Sequence, residues 1–194
     1  MARKRIGQLG LGAAQFGLDY GISNKRGQVS RAGAAAIIDC AVAAGIATVD
    51  TAAAYGDAEE VLGETLQPDV PFRIITKTIS LDHGVEAVVA RAHRSLDLLA
   101  RSSVDTLLVH SAADLARPTG PALWRALQDL RERGLFHKIG ISAYMEDDPL
   151  ALAERYDVQV IQLPLNFLDQ RPLASGTIHE LKLRGVEVHV RSLF

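Results

Sequence analysis

Asp50, Lys77, His110, Ser142, Gln162 and Arg191 each fall at or beside the end of a short apolar run that reads as a β-strand. One polar residue at a strand end is common by chance. Four ionisable ones, namely a carboxylate, an ammonium, an imidazole and a guanidinium, point to a shared site, because functional groups of a parallel barrel collect at the carboxyl ends of its strands. Such a set can hold charge and move protons near neutral pH. Tyr55, five residues beyond Asp50, adds a weak acid at the same end.

The elements that must position these residues alternate from end to end. Strands are expected over Gln8–Gln15, Ile46–Asp50, Phe72–Lys77, Val104–His110, Lys138–Ser142, Val158–Leu163 and Val186–Arg191. Between them, Ser30 can cap a helix carrying Ala34, Ile37, Ile38, Ala41 and Val42 that stops near Gly45. Residues 85–100 space Val85, Val88, Val89, Ala92, Leu96 and Leu99 as one helical face. Pro121 can open a helix bearing Leu123, Leu127 and Leu130, ended at Gly134. Further helices are expected near 57–66, 148–155 and 173–184. Alternation of this kind means βαβ units and a parallel sheet. Consecutive apolar positions such as Leu107-Leu108-Val109 suit strands buried on both faces. No compositional break divides the chain, so residues 1–194 read as one domain.

Composition narrows the function classes. The 194 residues are 48% hydrophobic and 23% charged, with a formal charge of −2, which is a globular profile and not a disordered one. No basic stripe marks a nucleic-acid surface. The lone cysteine, Cys40, forms no intramolecular disulfide, and no His/Cys/acid cluster has metal-ligand spacing, so no metal site is expected. No apolar run is long enough for a membrane helix and no signal sequence is visible at the start, so a cytoplasmic protein is expected.

Other motifs have plainer readings. Gly10-Leu11-Gly12 is a poor dinucleotide fingerprint, because Gln15 stands at the third glycine position and a loop-like Gly17–Gly21 segment follows. His83, His93, His137, His179 and His189 read as surface or packing residues. Glu59-Glu60, Asp147-Asp148 and Arg131-Glu132-Arg133 read as solvated faces, and Trp124 and Cys40 as helix packing.

The segment Val49-Asp50-Thr51-Ala52-Ala53-Ala54-Tyr55-Gly56, followed by Lys77 and His110 at the next two strand ends, resembles the aldo-keto reductase superfamily. Supporting segments run in order from Leu9-Gly10-Leu11-Gly12 through Glu59-Glu60-Val61-Leu62-Gly63 and Ile74-Ile75-Thr76-Lys77 to Lys138-Ile139-Gly140-Ile141-Ser142. The resemblance implies an α/β fold of the (β/α)8 TIM-barrel type. It also implies a nicotinamide cofactor, more often NADPH than NADH, and reversible hydride transfer to a small-molecule aldehyde or ketone. In the roles so implied, Tyr55 is the proton donor, and Lys77 lowers its pKa while Asp50 holds Lys77. His110 hydrogen-bonds the carbonyl oxygen. Ser142 and Gln162 match ligands of the nicotinamide carboxamide, although Ala143 stands where relatives commonly carry Asn. Gly12 matches a position where bare backbone lies near the cofactor. Arg191 occupies the region where many relatives stack a tyrosine, and its guanidinium can stack or bind a pyrophosphate oxygen. The stretch Gln15–Ile22 resembles bacterial members often associated with sugar derivatives.

Against a barrel of about 250 residues, the sequence stops after the seventh strand. The expectation is therefore a barrel lacking its eighth unit, with open strand edges that favour pairing with a second chain and weak turnover. Two alternatives stay open: a catalytically impaired paralogue that senses cofactor or binds a partner, and an aldolase using Lys77 as a Schiff-base nucleophile.

Overall fold

Seven parallel strands lie side by side in chain order, each hydrogen-bonded to the next. They are β1 (Leu11–Gly12), β2 (Thr48–Asp50), β3 (Arg73–Lys77), β4 (Val104–Val109), β5 (Phe136–Ser142), β6 (Val160–Pro164) and β7 (Glu187–Arg191). The computed structural model describes residues 9–67 and 72–193. The helices are α1 (Ala14–Gly17), α2 (Arg31–Ala43), α3 (Ala58–Thr65), α4 (Val85–Leu98), α5 (Ala113–Ala116), α6 (Gly120–Glu132), α7 (Pro149–Arg155), α8 (Arg171–Ala174) and α9 (Thr177–Leu183).

Contacts between strands that are not neighbours show that the sheet curls. Gln162 of β6 reaches Asp50 of β2 at 2.8 Å, and Arg73 of β3 reaches Glu187 of β7 at 2.7 Å. A flat sheet would hold these pairs four strands apart, roughly 19 Å at the usual strand spacing. The architecture is that of a (β/α)8 barrel through its seventh strand. Among the described residues β1 and β7 do not pair with each other.

Side chains alternate across each strand, so two apolar layers form. The outer one joins strand residues such as Val49, Ile74, Leu107, Ile139 and Ile161 to helix residues such as Leu62, Leu96, Leu123 and Leu127. The inner one is small: Ile75, Leu108 and Val160. By alternation Lys77 lies above Ile75 on that inner face, and Arg73 below it. The barrel interior is thus a thin apolar waist with polar side chains at both ends.

Local signals act as expected at several points. The Ser30 hydroxyl accepts from the Gly33 amide at 3.2 Å to cap α2. Pro121 sits in the first turn of α6. Elsewhere the structure differs. The expected strand Gln8–Gln15 shrinks to Leu11–Gly12, because the Phe16 amide turns back onto the Ala13 carbonyl and starts α1, burying Phe16. Gln8 lies outside the described residues. The helix expected over 173–184 is two, α8 and α9, broken where Gly176 takes φ +75°. Cys40 is exposed on α2 and does not pack. No helix among the described residues is long and apolar enough to cross a membrane.

Candidate active site

Every strand from β1 to β7 contributes near its carboxyl end. Gly12, Asp50, Lys77, Ser142 and Arg191 are the last residues of β1, β2, β3, β5 and β7, His110 follows β4, and Gln162 lies within β6. Lys77 is the centre of the arrangement. Its ammonium, with the side chain 2% exposed, donates to Asp50 Oδ2 at 2.7 Å and to the Thr51 carbonyl at 2.9 Å. It also lies 5.1 Å from the centre of the Tyr55 ring. The Tyr55 and His110 rings meet edge to face, with centroids 5.8 Å apart. Gln162 donates to the other carboxylate oxygen of Asp50, so that acid is held from β3 and from β6 at once.

Two glycines fix the tyrosine loop. A side chain on Gly17 would place its Cβ 1.8 Å from the Tyr55 carbonyl, and one on Gly56 would lie 2.2 Å from the Gly17 carbonyl. Gly56 also takes φ +56°. The Tyr-Gly pair in the sequence therefore has a physical reason: only bare backbone lets α1 press against this loop. His110 is seated through its own backbone, whose amide donates to the Thr78 hydroxyl at 3.2 Å.

The electrostatics correct one expectation. On balance Tyr55 is not brought down. The phenol is pushed up to about 12, first by burial and then by the negative charge of Asp50, with Arg191 acting the other way. The Lys77 charge is taken up by Asp50 and Thr51, and no hydrogen bond joins it to the Tyr55 hydroxyl. Burial also lowers Lys77, partly offset by Asp50. Burial and the nearby Lys77 charge lower His110 below its ordinary value, so its imidazole is neutral at pH 7.

Several groups have no protein partner. Gln162 Oε1 and Thr51 Oγ1 are buried and accept or donate no hydrogen bond. A Cβ built on Gly12 meets nothing within 4 Å among the described residues, so tight packing there does not demand this glycine. The Arg191 guanidinium lies 4.4 Å from the centre of the exposed Tyr144 ring and makes no ion pair among the described residues. Ser142 is Gln162's partner in register, buried beside it. A recess of about 430 Å³ lined by Ala54, Thr78, Ser80, Asp82, His110, Ser111 and Asp114 opens against the histidine.

Sequence reasoning missed Thr78, Tyr144 and Glu59. Thr78 adjoins Lys77, and its role needed the β3–β4 pairing to be seen. Glu59, read as part of a solvated face, is 1% exposed and accepts from Thr76, Ser95 and Arg91. The position of Glu59 one turn after Tyr55, on the face that α3 turns to the sheet, was the available signal.

A family model for the aldo/keto reductase family matches residues 8–193. An NAD/NADP-dependent indole-3-acetaldehyde reductase of Schizosaccharomyces pombe is 28% identical over 144 residues, 72% of this chain and 47% of that protein. An aldo-keto reductase of Mycolicibacterium vanbaalenii is 32% identical over 121 residues, 61% of this chain and 43% of that protein. The chain spans about half the length of the curated relatives it matches. A Pseudomonas aeruginosa structure assigned to the same family superposes with a TM-score of 0.76 at 26% identity, over 94% of this chain and 72% of that one. The holo form of a Bacillus halodurans aldo-keto reductase shares the fold, with a TM-score of 0.77 at 21% identity, over 94% of this chain and 61% of that one. With the match running almost the full length and the barrel shared, the chain belongs to the aldo/keto reductase family.

Proposed function

We propose that this chain reduces an aldehyde or ketone with NADPH or NADH, and that Tyr55 supplies the proton. The observation that carries this reading is the convergence of Asp50, Lys77, Tyr55 and His110 at one barrel mouth, with Lys77 bonded to Asp50 and facing the Tyr55 ring. The residues fit a nicotinamide. Gln162 Oε1 is a buried acceptor without a partner, suited to an amide N–H, and Ser142 stands beside it. The space over Gly12 accommodates a ligand, and Arg191 is a cation free to meet a phosphate or stack on a ring. When bound, the cofactor supplies the hydride.

The protein's own groups do the rest. A neutral His110 imidazole can donate one N–H to a carbonyl oxygen and so orient the carbon beneath it. A phenol held at about 12 stays protonated at neutral pH, which is the state a donor needs. An alkoxide is a stronger base than a phenolate, so the proton passes from the Tyr55 oxygen to the reduced substrate. The phenolate left behind faces Lys77, whose ammonium can then share its charge.

One observation favours the Schiff-base reading: burial lowers Lys77, as a nucleophilic amine needs. Its two hydrogen bonds hold it as an ammonium on Asp50 and Thr51, which argues against a nucleophilic amine. The test is cofactor oxidation in the presence of small aldehydes. Aldehyde-dependent oxidation of NADPH supports reduction. A borohydride-trapped adduct on Lys77 without cofactor turnover would overturn it in favour of the lysine.

A further inference from the structure

Behind the sheet, outside the barrel, lies a second cluster of buried charge that the reaction does not use. The Glu59 carboxylate of α3 is 1% exposed and accepts from three side chains: Thr76 Oγ1 at 2.6 Å, Arg91 Nη2 at 2.7 Å and Ser95 Oγ at 3.2 Å. Arg91 of α4 also donates from Nη1 to Ser95 Oγ at 2.7 Å and from Nη2 to the Ala53 carbonyl at 3.2 Å. Withdrawing the Glu59 carboxylate from water is costly, and an apolar residue of the same size would often serve stability as well. The cluster therefore calls for a reason beyond packing.

That reason lies in what it touches. Ala53 sits between Asp50 and Tyr55, and it is held through both of its backbone polar groups. Its amide donates to the Lys77 carbonyl at 3.1 Å, and its carbonyl receives Arg91. Thr76, the residue before Lys77, is bonded to Glu59, and Glu59 lies four residues beyond Tyr55. One carboxylate and one guanidinium thus brace the strand that carries Lys77 and both sides of the loop that carries Tyr55.

We propose that Arg91, held by Glu59, is a positioning residue that sets the distance between Tyr55 and Lys77 through the Ala53 carbonyl. It touches neither substrate nor cofactor. The planar fork of arginine serves Ser95 from one nitrogen and Glu59 and Ala53 from the other, a fixed two-nitrogen geometry that lysine lacks. The inference rests on the proposed role of Tyr55.

The experiment compares the wild-type chain with Arg91→Ala, Arg91→Lys and Glu59→Gln. It measures kcat and KM for cofactor oxidation with an aldehyde, and the ring signals of ¹³C-labelled tyrosine by NMR, with Tyr55 assigned from Tyr55→Phe. The expected result is a kcat lowered roughly 10- to 100-fold in Arg91→Ala with KM within about twofold, as a misplaced reacting group produces. Arg91→Lys should fall between, and the Tyr55 signal should shift in both while that of Tyr156, buried and bonded to the Leu115 carbonyl, stays in place. If Arg91→Ala does not fold, Arg91→Lys and Glu59→Gln carry the same comparison. Unchanged kcat and an unmoved Tyr55 signal, with only the melting temperature lowered, would overturn the proposal. If no aldehyde is turned over even by the wild type, the reductase reading falls, and the Tyr55 signal still decides whether Arg91 positions that ring.

Discussion

The two ends of the barrel interior hold similar groups and treat them differently. At the amino end, Glu187 of β7 accepts from Arg73 of β3 at 2.7 Å and from Lys138 of β5 at 2.6 Å, and His189 lies 2.8 Å away. Arg73 reaches Asp105 as well, with two nitrogens at 3.1 and 3.2 Å. Each charge there has at least one opposite charge, and the network crosses the barrel. At the carboxyl end, Lys77 and Asp50 are paired, but among the described residues the Tyr55 hydroxyl has no hydrogen bond, a Gln162 oxygen no partner and Arg191 no acid. Among the described residues, Ile75, Leu108 and Val160 form the buried apolar layer between the two ends. The satisfied end resists change because its groups already have partners. The other end keeps donors and acceptors that a ligand can complete.

This contrast can be broken most severely at the mouth. Tyr55→Phe removes the proton donor and leaves the ring and its contacts with His110. We expect kcat to fall roughly 10²- to 10⁴-fold, with cofactor affinity within about twofold by titration. An unchanged rate would remove Tyr55 from the reaction.

The floor should respond in stability alone. Glu187→Gln strips the acid from between Arg73 and Lys138. Because these side chains are partly exposed, the cost should be about 2 kcal/mol, below that of a fully buried pair. That corresponds to a melting temperature lower by roughly 4–8 °C, with kcat unaffected. A large loss of turnover without a loss of stability would mean that the two ends are coupled.

The same acid sets a pH dependence. Burial alone would raise Glu187, but hydrogen bonds from Lys138, His189 and Arg73 outweigh it and hold it at about 2. A carboxylate depressed in the folded state contributes stability that is fully present above its ordinary pKa of 4.5 and is lost as pH falls toward 2. Acid unfolding of wild type should therefore show a loss over that window that is flattened in Glu187→Gln.

At the mouth the charges act on Tyr55. Asp50→Asn removes the negative charge that helps to raise it, so its ionisation should move down from about 12 and stay above the ordinary 10, because burial remains. Alkaline absorbance titration, with Tyr55→Phe as the blank, reads this directly. No movement would show that Asp50 does not act on the phenol.

The smallest stability change is expected at Gly12→Ala. The added methyl meets no protein atom within 4 Å, so the melting temperature should stay within about 1 °C. Weaker cofactor binding in this variant would mark that space as ligand-occupied, and undiminished binding would remove Gly12 from the site.

Much of the fold was legible in the sequence because parallel strands buried on both faces leave long apolar runs, and because helix caps are local. Ser30, Pro121 and Gly134 act within a few residues of where they stand. The first strand was misread for the converse reason: the turn at Ala13–Phe16 depends on Phe16 entering the core under α3, a contact distant in sequence. Asp50, Tyr55, Lys77 and His110 could be picked out by type and spacing. The burial of Glu59 could not, since a Glu-Glu pair on a helix looks the same whether or not an arginine waits opposite.

The residue types by themselves determined a parallel βαβ sheet and which side chains would gather at its carboxyl end, because strand ends in a βαβ repeat must face one way. Tertiary structure alone decided their states. Burial and the Asp50 charge raise Tyr55 where the resemblance implied that Lys77 would lower it, and Lys77 is engaged by Asp50 and Thr51. Charges far apart in the chain become partners only when the sheet curls, and that curl places Gln162 on Asp50 and Glu187 on Arg73.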